Sequence, residues 1–172
     1  NNGLRYHILP TGEHNGRLAV QLQVEVGAAD EENGEEGMAH IVEHMNFRSS
    51  PAYPQGIAAQ LSARSWQMGR HFNAQTTYDY TRYLLLPPRG NRELEDSLTI
   101  AAEILRPRQF KPSDWQIEQK TVLNEWRNRQ NAENRLTLKR NAPLLQGSRH
   151  GRYPPIGGET AIRTAEAGQL SR

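Results

Sequence analysis

A chain of 172 residues with 21 Lys and Arg against 19 Asp and Glu carries a near-balanced formal charge of +2. That length suits one domain with its own core, and no basic stripe interleaved with aromatics points to nucleic acid as a partner. The absence of cysteine excludes a disulfide or a thiolate metal site, and no apolar run approaches the roughly 18 to 20 residues of a membrane span.

Residues 4–9 and 18–26 alternate apolar and polar positions with period two. Pro10-Thr11-Gly12 and Asn15-Gly16 punctuate the interval, so the pair predicts a hairpin or two neighbouring strands. The chain opens directly on the first of these and closes on Gln169-Leu170-Ser171-Arg172 without a stop signal, so both ends read as cuts in something longer. The acidic stretch 30–36, closed by Gly37, lacks the spacing of a calcium loop and reads as solvated. Residues 38–47 then show helical spacing, with Met38, Ile41, Val42 and Met45 as the apolar stripe. Pro51 and Pro54 break the chain before a predicted helix over 57–66, ended by Gly69.

Two further strands are predicted over 72–77 and 80–86, the second stopped by Pro87-Pro88. Residues 93–105 read as a helix with Leu94, Leu98, Ala101, Ala102 and Leu105 on its packed face. Ser113 and Gln116 form a capping-box signal for a long helix through Trp126 and on to Leu138. A loop rich in Gly and Pro covers 147–158, and a last short helix is expected to start near Thr164. Trp66, Trp115 and Trp126 fall at helical positions and read as packing residues. This order predicts an α+β fold: a two-layer α/β sandwich, mostly antiparallel sheet with helices packed on one face.

The most informative five residues are His40-Ile41-Val42-Glu43-His44. On a helix, positions 40, 43 and 44 fall at roughly 0°, 300° and 40°, so all three side chains leave one side. Two imidazoles one turn apart can close on a single Zn2+ ion, with Glu43 beside the water that the metal activates. That carboxylate can take the water's proton during attack on a peptide carbonyl. The order H-x-x-E-H inverts the commoner H-E-x-x-H and supports the same division of labour. Random placement yields such a pattern roughly 0.02 times in a chain of this composition; the bland alternative is a helix with two surface histidines and a surface glutamate. A catalytic zinc needs a third protein ligand, and the long helix offers Glu118 and Glu125, two turns apart and about 20° from one stripe.

Several segments resemble the pitrilysin/insulinase family of zinc peptidases, in family order. They are Gly27-Ala28-Ala29-Asp30-Glu31, Gly37-Met38-Ala39 before the metal motif, and Met45 and Phe47 after it. Asn73-Ala74-Gln75-Thr76, Thr81-Arg82-Tyr83, Glu118-Gln119-Lys120-Thr121-Val122-Leu123-Asn124-Glu125 and Pro155-Ile156-Gly157 follow. Ser49-Ser50 stand where the family usually has Gly-Thr, a departure in a loop. The resemblance spans nearly the whole chain and implies the fold of the mitochondrial processing peptidases. It implies His40, His44 and Glu125 as zinc ligands, Glu43 as catalytic base, and Glu118 as a carboxylate that orients a ligand or supports the base. Asn73 and Ala74 would lie on an edge strand that pairs with an extended peptide substrate.

The same resemblance makes residues 1–172 the N-terminal catalytic domain of a two-lobed peptidase. Its second lobe would lie on the same chain or a homologous subunit, with a periplasmic or membrane-associated place and a cytoplasmic one left open. The leading expectation is a zinc endopeptidase acting on short or unfolded peptides, with this chain alone weakly active or inactive. The alternative is a non-catalytic relative serving as a peptide-binding or partner subunit; an intact His40, Glu43, His44 and Glu125 set favours the enzyme.

Overall fold

Alternating burial makes a three-stranded antiparallel sheet in the computed structural model, which describes residues 3–10, 12, 16–90 and 92–171. β1 (Val20–Val24), β2 (Phe72–Thr76) and β3 (Thr81–Leu85) lie in the order β1-β3-β2. Leu22, Tyr83 and Ala74 stand opposite one another across the three strands. A tight turn joins β2 to β3: Thr77 N–H donates to the Tyr80 carbonyl at 2.9 Å, and the Thr77 hydroxyl accepts from Tyr80 N–H at 3.1 Å. β3 is central and buries Thr81, Tyr83 and Leu85, which leaves β2 as an edge strand among the described residues.

Six helices accompany the sheet among the described residues: α1 (Met38–Met45), α2 (Ile57–Ala63), α3 (Glu93–Ile104), α4 (Pro112–Asn128), α5 (Ala132–Leu145) and α6 (Glu159–Thr164). The fold is α+β, as the alternation of patterns predicts. Its apolar interior has two parts. Phe47, Ile57, Leu61, Phe72, Leu85 and Ile104 pack between the sheet, α2 and α3. Ile41, Met45, Trp115, Val122, Leu123 and Ile162 pack between α1, α4 and α6. Full burial of such a side chain contributes roughly 1.5–3 kcal/mol, so the seam between α1 and α4 is apolar in origin although both helices are otherwise polar. α1 touches β2 and β3 on one side and α4 on the other.

Several sequence expectations are corrected. Residues 4–9 are exposed and form no strand, and β1 pairs with β3 rather than with them; the buried face of β3 offers a partner that an exposed segment does not. The turn residues Thr11 and Asn15 lie outside the described residues. The expected face of α3 points to solvent, with Leu94, Leu98 and Leu105 exposed, while Ser97, Ile100, Glu103 and Ile104 are buried. The buried stripe is rotated by about a third of a turn. Ser97 tolerates burial because its hydroxyl donates to the Glu93 carbonyl at 2.7 Å.

Ser113 makes no cap: α4 starts with Pro112 in its first turn, where a missing N–H costs nothing. The long helix does not run on to Leu138. It ends at Asn128, and the Asn131 side chain caps a separate α5 by accepting from Asn134 N–H at 2.9 Å. The last helix ends at Thr164 rather than starting there. Trp66 and Trp115 are buried, the latter donating from its indole N–H to the Ala165 carbonyl at 2.8 Å, and Trp126 packs half-buried against the α1–α4 cluster.

The acidic stretch is not simply solvated. Glu31 turns back and accepts from the backbone N–H of Gly37 at 2.9 Å and of Ala39 at 2.8 Å, so it caps α1 from outside the helix. α1 has no side-chain cap at its own N-cap, Gly37. Burial raises the Glu31 carboxyl to about 7, against the two backbone hydrogen bonds and with the help of Glu36 and Glu35. An acid raised in the folded state adds stability below its unfolded value, near 4.5, and that contribution is lost as pH rises through about 7. Glu31→Gln is therefore expected to flatten the fall in stability between these pH values. Glu31→Ala is expected to cost about 1–2 kcal/mol, both read from urea unfolding as a function of pH.

Candidate metal centre

The start of α1 is set by a close backbone approach. Gly37 adopts φ +93°, and a Cβ there would lie 2.9 Å from the Ile156 carbonyl oxygen, so only glycine lets the Pro155-Ile156-Gly157 loop seat against the helix. From this fixed start His40, Glu43 and His44 leave α1 toward α4 and β2. His40 and Glu43 are buried, and His44 is partly exposed. The two imidazoles meet edge to face, 4.7 Å between centroids.

α4 brings both of its glutamates to this side. Glu125 Oε2 lies 3.5 Å from His40 Nε2 and 3.5 Å from His44 Nε2. Glu118 Oε2 accepts from His44 Nδ1 at 3.0 Å. Neutral His44 with its proton on Nδ1 would offer the Nε2 lone pair to a metal, whereas protonated His44 faces Glu125 with an Nε2–H donor. His40 Nδ1, by contrast, is buried and has no hydrogen-bond partner among the described residues. Thr76 of β2 donates its hydroxyl to Glu43 Oε2 at 2.6 Å, while Thr81 beside it donates to the Val26 carbonyl at 3.0 Å.

The electrostatics follow from this packing. Burial pushes His40 down to about 4, aided by the neighbouring His44. Burial also opposes charge on His44, but its hydrogen bonds to Glu118 and Glu125 outweigh that and hold it up at about 9. The hydrogen bond from His44 takes the Glu125 carboxyl down to about 2. Burial works to raise Glu118, yet His44 and Arg48 leave it below the usual carboxylate range. Glu43 is pushed up by burial, and the Thr76 hydroxyl offsets part of that.

One ligand atom each from His40, His44 and Glu125 lies within 4.8 Å of the other two. Two imidazole nitrogens and a carboxylate oxygen form a donor set that suits zinc. The 3.5 Å spacings match the edge of a tetrahedron with bonds of about 2.1 Å, roughly 3.4 Å. The residues present therefore fit the ion. Asn73 and Ala74 sit on edge strand β2, Asn73 exposed and Ala74 half-buried. Three neighbours of the cluster escaped the sequence reading: Thr76, Arg48 and Arg129. Arg48 and Arg129 follow His44 and Glu125 by one helical turn, a spacing visible in the sequence, whereas the Thr76 contact depends on how the sheet packs on α1.

The chain belongs to the insulinase family, peptidase family M16, whose model matches residues 9–152. It is 32% identical over 172 residues to the probable zinc protease PqqL of Haemophilus influenzae, covering 99% of this chain and 19% of that protein. It is also 32% identical over 171 residues to PqqL of Escherichia coli, covering 98% and 18%. Among solved structures, a mutant of the ferredoxin protease FusC in complex with Arabidopsis ferredoxin superposes with a TM-score of 0.87 at 35% identity, over 92% of this chain and 18% of that one. The periplasmic protease PqqL of E. coli superposes at 0.83 with 30% identity, over 90% and 17%. The chain thus spans less than a fifth of the length of these relatives.

Thr76→Val removes the one hydroxyl donor to Glu43 without changing side-chain size. The Glu43 carboxyl is then expected to titrate at higher pH than in the unaltered protein, as followed by carbon-13 NMR of the labelled carboxyl.

Proposed function

We propose that residues 1–172 form the N-terminal catalytic domain of a zinc endopeptidase acting on short or unfolded peptides. The observation that carries this reading is the convergence of His40 Nε2 and His44 Nε2 on a single oxygen of Glu125, each at 3.5 Å, beside a buried Glu43. The family membership and the zinc-protease relatives support the same chemistry.

In this reading His40, His44 and Glu125 hold Zn2+, and Glu118 orients His44. Zinc so held acidifies a water and polarises a scissile carbonyl. Glu43, its affinity for a proton raised by burial, accepts the proton that the attacking water loses and passes it to the departing amide nitrogen. The peptide bond breaks with one new carboxyl and one new amine, so the carboxylate is regenerated. Thr76 fixes which Glu43 oxygen is engaged and leaves Oε1 to work. The open edge of β2 at Asn73 and Ala74 offers backbone groups to an extended substrate, which would join the sheet as a further strand.

Substrate has to be placed to within fractions of an ångström for such a step. The relatives are some five times longer than this chain, so further substrate contacts come from a second lobe, on the same chain or on a homologous subunit. This chain by itself is then a metal-binding half-site with weak turnover. A periplasmic place follows the E. coli relative; no helix among the described residues is long and apolar enough to cross a membrane.

After dialysis against trace zinc, elemental mass spectrometry is expected to find about one zinc per chain, and much less in Glu125→Ala. Glu43→Gln is expected to retain the metal while abolishing peptide cleavage in the assembled two-lobed enzyme. Strong cleavage by the 172-residue chain alone, stopped by Glu43→Gln, contradicts the need for a second lobe. A chain that never takes up zinc contradicts the reading as a whole.

A further inference from the structure

Each α4 glutamate offers one oxygen to a histidine and the other to an arginine. Glu118 Oε2 accepts from His44 Nδ1 at 3.0 Å, while its Oε1 accepts from Nε and a terminal nitrogen of Arg48. Glu125 Oε2 faces both His40 and His44, while its Oε1 accepts from a terminal nitrogen of Arg129 at 2.5 Å. The hydrolytic step uses neither guanidinium.

A free carboxylate has about four lone-pair sites and can turn to give a cation one oxygen or two. A guanidinium on one oxygen removes that freedom, because the planar fork holds the acceptor in both distance and direction. Arg48 leaves the chain one turn after His44, so the segment that supplies the imidazole also supplies the cation on the far side of Glu118. Glu118 is buried, so its second oxygen would otherwise lack a partner that water could replace. Arg129 sits one turn after Glu125 on the same side of α4 and reaches the oxygen turned away from the histidines.

We propose that Arg48 and Arg129 are positioning residues of the metal centre. Arg129 keeps Glu125 a one-oxygen ligand. Arg48 locks Glu118 so that His44 carries its proton on Nδ1 and presents Nε2 to the metal. This inference rests on the zinc reading above and adds two residues, outside the ligand set, that determine its affinity and coordination number.

The test is chelator competition for zinc on the purified protein and on Arg48→Met, Arg129→Met, Arg48→Lys and Arg129→Lys. X-ray absorption at the zinc edge and urea unfolding of the zinc-free forms accompany it. Both methionine variants are expected to bind zinc about 10-fold or more weakly, the usual effect of losing an outer partner of a ligand. The lysine variants are expected to recover only part of that, since lysine restores charge without the fork. Arg129→Met is expected to show an added oxygen in the zinc shell, with unfolding midpoints of the zinc-free proteins little changed. Methionine variants that match the unaltered protein in affinity and spectrum overturn the proposal, as does an affinity loss that merely tracks lost stability. An unaltered protein that binds no zinc overturns the zinc reading first and this inference with it, a result distinguishable because no variant is needed to see it.

Discussion

The apolar seam between α1 and α4 is the constraint on which the rest of the site depends. Ile41 and Met45 on one helix and Val122 and Leu123 on the other are buried against one another. Their burial sets the separation and register of two short polar arrays, His40 and His44 on α1 and Glu118 and Glu125 on α4. His40 and Glu118 are buried and His44 and Glu125 half-buried, so each is stabilised by the others. The apolar contact holds them together, and the positive charge of His44 between Glu118 and Glu125 makes the arrangement tolerable.

A helix of eight residues cannot hold such a register by itself, since isolated helices below about 12–15 residues are marginal in water. α1 is therefore anchored at both ends by tertiary contacts. At its start Glu31 accepts from two orphan N–H groups, and Gly37 lets the loop at Ile156 and Gly157 press against the backbone. At its end Asn46 donates to the Tyr83 hydroxyl at 2.8 Å. Arg108 in turn donates to the Asn46 carbonyl and side-chain oxygens, each at 2.9 Å. The central strand, the segment between α3 and α4, and α1 are thereby tied into one unit. Small displacements of α1 would disturb the site geometry, and few are open to it.

Membership of peptidase family M16 gives this architecture its meaning, and the chain spans less than a fifth of the length of the relatives it matches. The candidate ligands His40, His44 and Glu125 and the buried Glu43 are gathered within the 172 residues. The open edge of β2 faces outward beside Glu43's partner Thr76, so the exposed backbone and the buried carboxylate meet on a single strand.

What the sequence determined by itself was local. The H-x-x-E-H spacing put His40, Glu43 and His44 on one side of a helix, the seven-residue interval put Glu118 and Glu125 on one stripe, and period-two alternation marked β1. These follow from the geometry of a residue and its near neighbours, which the order of side chains encodes directly. The tertiary structure decided the rest. It paired β1 with β3 instead of with residues 4–9, turned Ile100 and Ile104 of α3 inward in place of Leu94 and Leu98, and recruited Glu31 from an acidic loop as a cap. It also chose which oxygen of each glutamate met a histidine and which met Arg48 or Arg129. Periodicity shows that a segment has a face, but only the surface it meets decides which face is buried and which polar atoms find partners there.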